Sequence, residues 1–177
     1  MLLGAVLALL ACGALAAVLA RRVGWVAAVA IAGFVWTVVV IGLVTLIPAE
    51  GAPGIVPAEG RLETCGEVGG PAPEGFWIFT SGQRLLNTLL FVPSGVLLVI
   101  AAARWPRWSL LVVPLGVALL AAYSAGIEYT QLELARIDRA CDLTDVVDNV
   151  TGACLGVLIG LPLALVLRPW RWRQPRA

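Results

Sequence analysis

The sequence contains no lysine and no histidine, and only 13% of its 177 residues are charged. Without histidine, the chain cannot build a catalytic site on a histidine base or a zinc site of the common histidine-containing kind. Its net charge of +1 provides no basic surface of the type that binds nucleic acid, so we expect no nucleic-acid partner. Soluble domains carry about 25% charged residues. The low charge therefore argues against a soluble enzyme.

Hydrophobic residues are abundant instead, at 60% of the chain. Five apolar stretches approach the roughly 20 residues that a membrane-spanning helix needs; they cover residues 2–20, 23–47, 85–103, 109–127 and 144–167. The first could be a secretory or lipoprotein signal, but no basic residues precede it and it continues past Cys12. We therefore interpret it as a retained span. The predicted fold class is all-α, a polytopic membrane bundle of about five transmembrane helices.

The twelve arginines predict how the chain crosses the membrane. Eight lie in the two short turns and the C-terminal tail that share one side, and four lie on the other side. The positive-inside rule makes the first side cytoplasmic, so the N-terminus is expected outside and the C-terminus in the cytoplasm of an inner (plasma) membrane protein. All eleven acidic residues then fall in outer loops or at outer helix ends. The predicted parts are an N-terminal transmembrane helix pair (1–47), an extracytoplasmic loop (48–84), a three-helix core (85–167) and a cytoplasmic tail (168–177).

Two of the four cysteines, Cys65 and Cys141, lie on the predicted outer side. An oxidising compartment permits a disulfide between them. Such a bond requires the two Cα atoms to come within about 7 Å, which sequence spacing leaves open. Cys12 and Cys154 lie within spans and are expected to pack as small apolar residues.

Polar side chains inside or near the ends of the spans are the candidate functional residues, because hydrocarbon disfavours them and they usually face the bundle interior. The third predicted span contributes Asn87, and the fourth contributes Glu128 and Gln131, which share one helical face. Around the start of the last span lie Arg139, Asp142, Asp145 and Asn149. Asp142 also suits a helix N-cap, which is a purely structural role. Asp148 could join either of two helical faces.

These residues occur in three ordered blocks that resemble the VanZ-like family of small bacterial multi-spanning membrane proteins. The blocks are Asn87 through Gly95, then Ser124 with Ile127, Glu128 and Gln131, then Arg139 with Asp142, Asp145, Asn149 and Gly152. Two positions depart from the family pattern: Thr144 stands where an acid is usual, and Asp148 stands where the family tends to be apolar. The founding member of the family is associated with reduced susceptibility to teicoplanin, so the resemblance implies a role in the cell envelope and a link to glycopeptide response.

Two classes of function remain open. The preferred one is non-enzymatic binding of a membrane lipid or cell-wall precursor headgroup at the outer polar cluster, with Arg139 available to a carboxylate or phosphate. The alternative is an intramembrane enzyme acting on a polyprenyl-linked or phospholipid substrate, in which Glu128, Asp142 and Asp145 hold a divalent cation. The preferred function needs no cofactor. Gly152, Gly156 and Gly160 form a small-residue series that would let another helix approach closely, from this chain or from a second copy in a homo-oligomer.

Overall fold

The computed structural model describes residues 2–47, 82–134 and 142–171. These residues form five long helices, namely α1 (Leu2–Val23), α2 (Trp25–Leu46), α3 (Gly82–Ala102), α4 (Pro106–Leu134) and α5 (Leu143–Leu167), followed by a short 3-10 turn at Pro169–Arg171. All five are long and apolar enough to cross a membrane, which confirms the predicted fold class. Helix α4 continues seven residues past the predicted span end at residue 127, and α3 starts three residues before residue 85. Cys65, Cys141, Arg139 and most of the predicted outer loop lie outside the described residues.

Helices α1 and α2 form an antiparallel hairpin around Gly24. Its backbone φ of 87° and ψ of 155° separates the two helices, and only glycine adopts such angles without steric cost. The indole Nε1 of Trp36 donates a hydrogen bond to the carbonyl of Ala5, 3.1 Å away, which ties the far end of the hairpin. Helix α1 packs mainly against α2 and lies at the edge of the bundle.

Helix α3 lies at the centre and makes its most extensive contact with α5. The two helices run parallel in a constant register of 64 residues. Arg84 meets Asp148, and Thr88 and Val96 meet Gly152 and Gly160. Every fourth residue of one helix therefore faces every fourth residue of the other.

The glycine series of α5 allows this contact. A Cβ atom placed at Gly152 would collide with the carbonyl oxygen of Thr88, and one at Gly156 would collide with that of Val92. Gly95 of α3 is equally tight against the carbonyl of Ala153. The face that the sequence offered as an interface between copies is therefore covered by α3 of the same chain, because backbone contact between α3 and α5 leaves no space for a second helix there.

Small residues predominate inside the bundle, and many large apolar residues face outward. Most of the buried apolar residues are alanines, whereas many leucines and valines are exposed on the outer surfaces of the helices. Lipid tails are as apolar as leucine, so burying leucine gains little in a bilayer, and close packing of small residues holds the helices together.

Candidate functional site

The predicted site residues that the structure describes lie at one end of the bundle, which we call the polar end. This end is formed by the C-terminal ends of α2 and α4 and the N-terminal ends of α3 and α5. The buried members are Asn87, Glu128, Gln131, Asp145 and Asn149, and Asp142 is half-buried. Side chains that hydrocarbon would reject therefore converge from three helices inside the protein rather than pointing into lipid.

The strongest polar contact at this end is an ion pair that the sequence analysis did not identify. Arg84 of α3 donates from Nε to Oδ2 of Asp148 at 2.9 Å and from Nη2 to Oδ1 at 3.2 Å. The Asp148 side chain is fully buried and that of Arg84 is 16% exposed. Two parallel hydrogen bonds between a guanidinium and a carboxylate fix the relative orientation of the two groups and also pair their charges.

A signal for this pair was present in the sequence. Asp148 lies four residues before Gly152 and therefore extends the glycine series by one turn. Arg84 lies four residues before Thr88, which packs on Gly152. The sequence alone left Asp148 on either of two helical faces, and its contact with Arg84 places it in the stripe that faces α3.

A second contact joins α4 to the start of α5. Oε2 of Glu128 accepts a hydrogen bond from the backbone N–H of Asp142 at 3.0 Å. The Asp142 carboxylate in turn accepts from the N–H of Thr144 at 2.7 Å, which makes Asp142 the N-cap of α5. The structural role that the sequence allowed for Asp142 is thus confirmed, and Glu128 supports that cap from the neighbouring helix.

At the same end, four helices contribute one polar residue each to what we call the polar layer: Thr45, Asn87, Gln131 and Asn149. On each helix a buried apolar residue lies one turn further from the polar end than the polar residue. These four apolar residues pack in one cluster: Ile41, Phe91, Ile127 and Ala153. Nε2 of Gln131 donates to the carbonyl of Thr45 at 3.1 Å, which links α4 to α2. The apolar cluster closes the polar layer on its inner side.

Two atoms of the polar layer are buried without a hydrogen-bond partner among the described residues: Nδ2 of Asn87 and Oδ1 of Asn149. The amide nitrogen of Asn149 is satisfied, since it donates to Oγ of Ser124 at 2.9 Å. Leaving a buried donor or acceptor unpaired costs about 1–3 kcal/mol. The polar layer thus presents one unmatched donor on α3 and one unmatched acceptor on α5.

The three acids that would hold a divalent cation under the alternative function do not form a metal site in the part of the chain that the structure describes. Glu128, Asp142 and Asp145 are all described, and among the described residues no group of three acids, cysteines or histidines is arranged to hold an ion. The reason is visible in their contacts, since Glu128 and Asp142 are engaged in capping α5. The arrangement expected for the metal-dependent alternative is therefore wrong for these residues.

Three cavities between the described helices lie away from the polar layer. One of about 680 Å³ lies between α3, α4 and α5 toward the opposite end, and others of about 480 and 360 Å³ lie between α2, α3 and α4. All three are lined almost entirely by apolar side chains. We place the candidate site at the polar layer rather than at these cavities, because apolar grooves on a bilayer-spanning surface are expected to fill with lipid tails, whereas buried polar groups mark function.

The comparisons with known proteins agree with this architecture. A family model described as VanZ/LLP1 matches residues 34–166, a range that runs from α2 to the end of α5 and includes every described residue of the polar layer. No curated protein and no solved structure matches the chain. The family match covers well over half of the chain, and the chain therefore belongs to the VanZ-like family of membrane proteins.

Proposed function

We propose that this protein binds the polar headgroup of a lipid-linked molecule or cell-wall precursor at its polar end, on the outer face of the cell membrane. The observation that carries the proposal is the pair of unmatched atoms, Nδ2 of Asn87 and Oδ1 of Asn149. A headgroup with both hydroxyl and phosphate or carbonyl groups would supply the missing acceptor and donor, which would offset the cost of burying them.

The surroundings of these atoms support binding from the outer side. The apolar cluster around Phe91, which is fully buried, lies on the inner side of the polar layer. Arg84 and Asp148 hold α3 and α5 in register beside it. A ligand would therefore approach from the polar end, where the arginine distribution predicts the extracytoplasmic surface. Arg139, which lies outside the described residues, remains a candidate partner for an anionic headgroup.

We expect Asn87→Leu to separate ligand binding from stability. The substitution removes the unmatched donor and keeps the branching and the number of side-chain heavy atoms, so the ligand-free protein should unfold at the same temperature as wild type or at a higher one. Affinity for a headgroup should fall about tenfold to 100-fold, since a hydrogen bond to a charged acceptor contributes about 1.5–3 kcal/mol. Binding is measured by titrating the purified protein in detergent with a polyprenyl diphosphate, alongside mass spectrometry of the lipids that copurify.

Thr130→Val is the matched control, because Thr130 is half-buried near the same end of α4, outside the polar layer, and its hydroxyl donates to the carbonyl of Gly126 at 2.7 Å. It should leave binding unchanged. Asn87→Asp provides a second variant, which keeps a polar side chain but replaces the donor with an acceptor and should also lose affinity. If wild type carries no polyprenyl-linked or cell-wall lipid and does not bind the probe, or if Asn87→Leu binds as wild type does, the proposal is wrong.

The resemblance to a family whose founding member is associated with reduced teicoplanin susceptibility extends the proposal to the whole cell. Expression of wild type should raise the teicoplanin concentration needed to inhibit growth, and Asn87→Leu, inserted at an equal level, should not. Growth inhibition assays with quantified membrane levels test this. Equal protection by wild type and by Asn87→Leu would show that any resistance effect does not depend on the polar layer.

A further inference from the structure

The end of the bundle opposite the polar layer carries a groove between α3, α4 and α5. Its volume is about 680 Å³, within the roughly 300–1,000 Å³ range of small-molecule sites. The lining residues include Val99, Pro106, Val113, Val157, Leu161 and Trp170. Exposed leucines border the groove, among them Leu110 and Leu165, so it opens sideways toward hydrocarbon.

The dimensions of the groove match one lipid tail in one leaflet. On α4 its lining runs from Pro106 to Pro114, nine residues whose Cα atoms span about 12 Å of helix. One leaflet contributes about 15 Å, half of the roughly 30 Å hydrocarbon core. Helix α4 begins and helix α5 ends at the same end of the groove. The groove therefore extends from the membrane surface toward the bilayer centre.

The surface end of the groove is positively charged. Arg107 follows the lining residue Pro106, and Arg171 follows the lining residue Trp170. Nε of Arg168 donates to the carbonyl of the lining residue Leu165 at 3.3 Å. All three arginines are exposed. No aspartate or glutamate occurs in residues 75–127 or 149–177, so the segments that form this end contain no acid to neutralise them.

We propose that this groove binds a glycerophospholipid with an anionic headgroup, one acyl chain lying between α4 and α5 and the phosphate lying among Arg107, Arg168 and Arg171. Basic pockets between transmembrane helices attract anionic headgroups on the cytoplasmic side, which is the side that the arginine count predicts for this end. Trp170 lies at the junction, where an amphipathic indole ring is favoured at headgroup depth. The site is separate from the polar layer and independent of the function proposed for it.

The proposal is tested by native mass spectrometry of the purified full chain with phosphatidylglycerol and phosphatidylcholine of identical acyl chains. Each basic residue near an anionic lipid contributes about 1 kcal/mol, or roughly fivefold in affinity. Wild type should therefore prefer phosphatidylglycerol by on the order of 100-fold. The double variant R107Q/R171Q should reduce that preference to about fivefold, the contribution of Arg168 alone.

Arg21→Gln with Arg22→Gln is the matched charge control. Both arginines are exposed in the last turn of α1, at the same end of the bundle but on a helix that does not line the groove. This control removes the same charge and should keep most of the preference. Equal losses in the two double variants would show that net charge, not the groove, attracts the lipid and would overturn the proposal.

A second pair of variants tests the acyl chain. Leu161→Trp fills the groove, and Leu158→Trp places the same ring on an exposed position of α5 outside the groove lining. The first should weaken binding of both lipids at least tenfold relative to the second, and neither should disturb folding because both residues face outward. Absence of a phosphatidylglycerol preference in wild type, or equal binding by the two tryptophan variants, would overturn the assignment.

Discussion

Replacing Asp148 with alanine is expected to destabilise the protein by about 3–5 kcal/mol, because it leaves the Arg84 guanidinium in the bundle without the carboxylate that it meets through two hydrogen bonds. The Asp148 side chain is fully buried, so water cannot readily replace it. The free energy of unfolding is measured in mixed micelles by titration with a denaturing detergent. We expect Asp148→Ala to be among the most damaging single substitutions in the chain.

Two further variants serve as controls for the Asp148→Ala substitution. Glu133→Gln removes a charge from an exposed acid at the same end and should change stability by less than about 0.5 kcal/mol. The double variant Arg84→Met with Asp148→Leu removes both charges and should recover much of the loss, since apolar residues often replace a buried ion pair at little cost. If Asp148→Ala were as mild as Glu133→Gln, the ion pair would contribute nothing to the contact between α3 and α5.

Gly156→Ala is expected to have the second large effect. The added Cβ would collide with the carbonyl oxygen of Val92 and would lie 2.9 Å from Cα of Gly95. Overpacking typically costs about 1–3 kcal/mol, and we expect the upper part of this range because the opposing atoms belong to the backbone and cannot rotate away. The same unfolding assay measures the loss, which should accompany wider separation of α3 and α5 in distance measurements between spin labels.

Gly13→Ala is the control, because a Cβ at Gly13 meets no atom of the described chain within 4 Å. Alanine is favoured over glycine in a helix by about 1 kcal/mol, so this change should be neutral or stabilising. An equal loss at Gly13 and Gly156 would indicate that glycine serves backbone flexibility rather than close approach. A harmless Gly156→Ala would mean that α3 and α5 lie farther apart than the structure places them.

The polar residues show what the sequence could predict about the site. Asn87, Glu128, Gln131, Asp145 and Asn149 were found from their cost in hydrocarbon, and they do lie buried at one end. Their partners were not predictable in the same way. Glu128 was predicted to be a binding residue, or a metal ligand under the alternative function, and in the structure it accepts the N–H of Asp142. The connection between these two helices lies outside the described residues.

For the glycines of α5, too, the sequence predicted the type of contact but not the partner. Their spacing predicted a closely approached helix, but the sequence did not say which helix. The structure shows α3, in a parallel register that also brings Arg84 to Asp148. Once one contacting residue pair between α3 and α5 is known, the other contacting pairs follow at intervals of four residues. The sequence therefore lacked one piece of information, the register between these two helices.

By itself the sequence determined that this protein is a five-helix membrane bundle and which end of it holds the acidic and amide side chains. Both properties depend on the transfer of individual residues between water and lipid, which can be read locally along the chain. Only the tertiary structure decided which polar atoms pair and which two remain unmatched. Lipid gives large apolar residues no preference for the inside of the bundle, so apolar periodicity cannot orient the helices, and their rotation and register follow from contacts between distant segments.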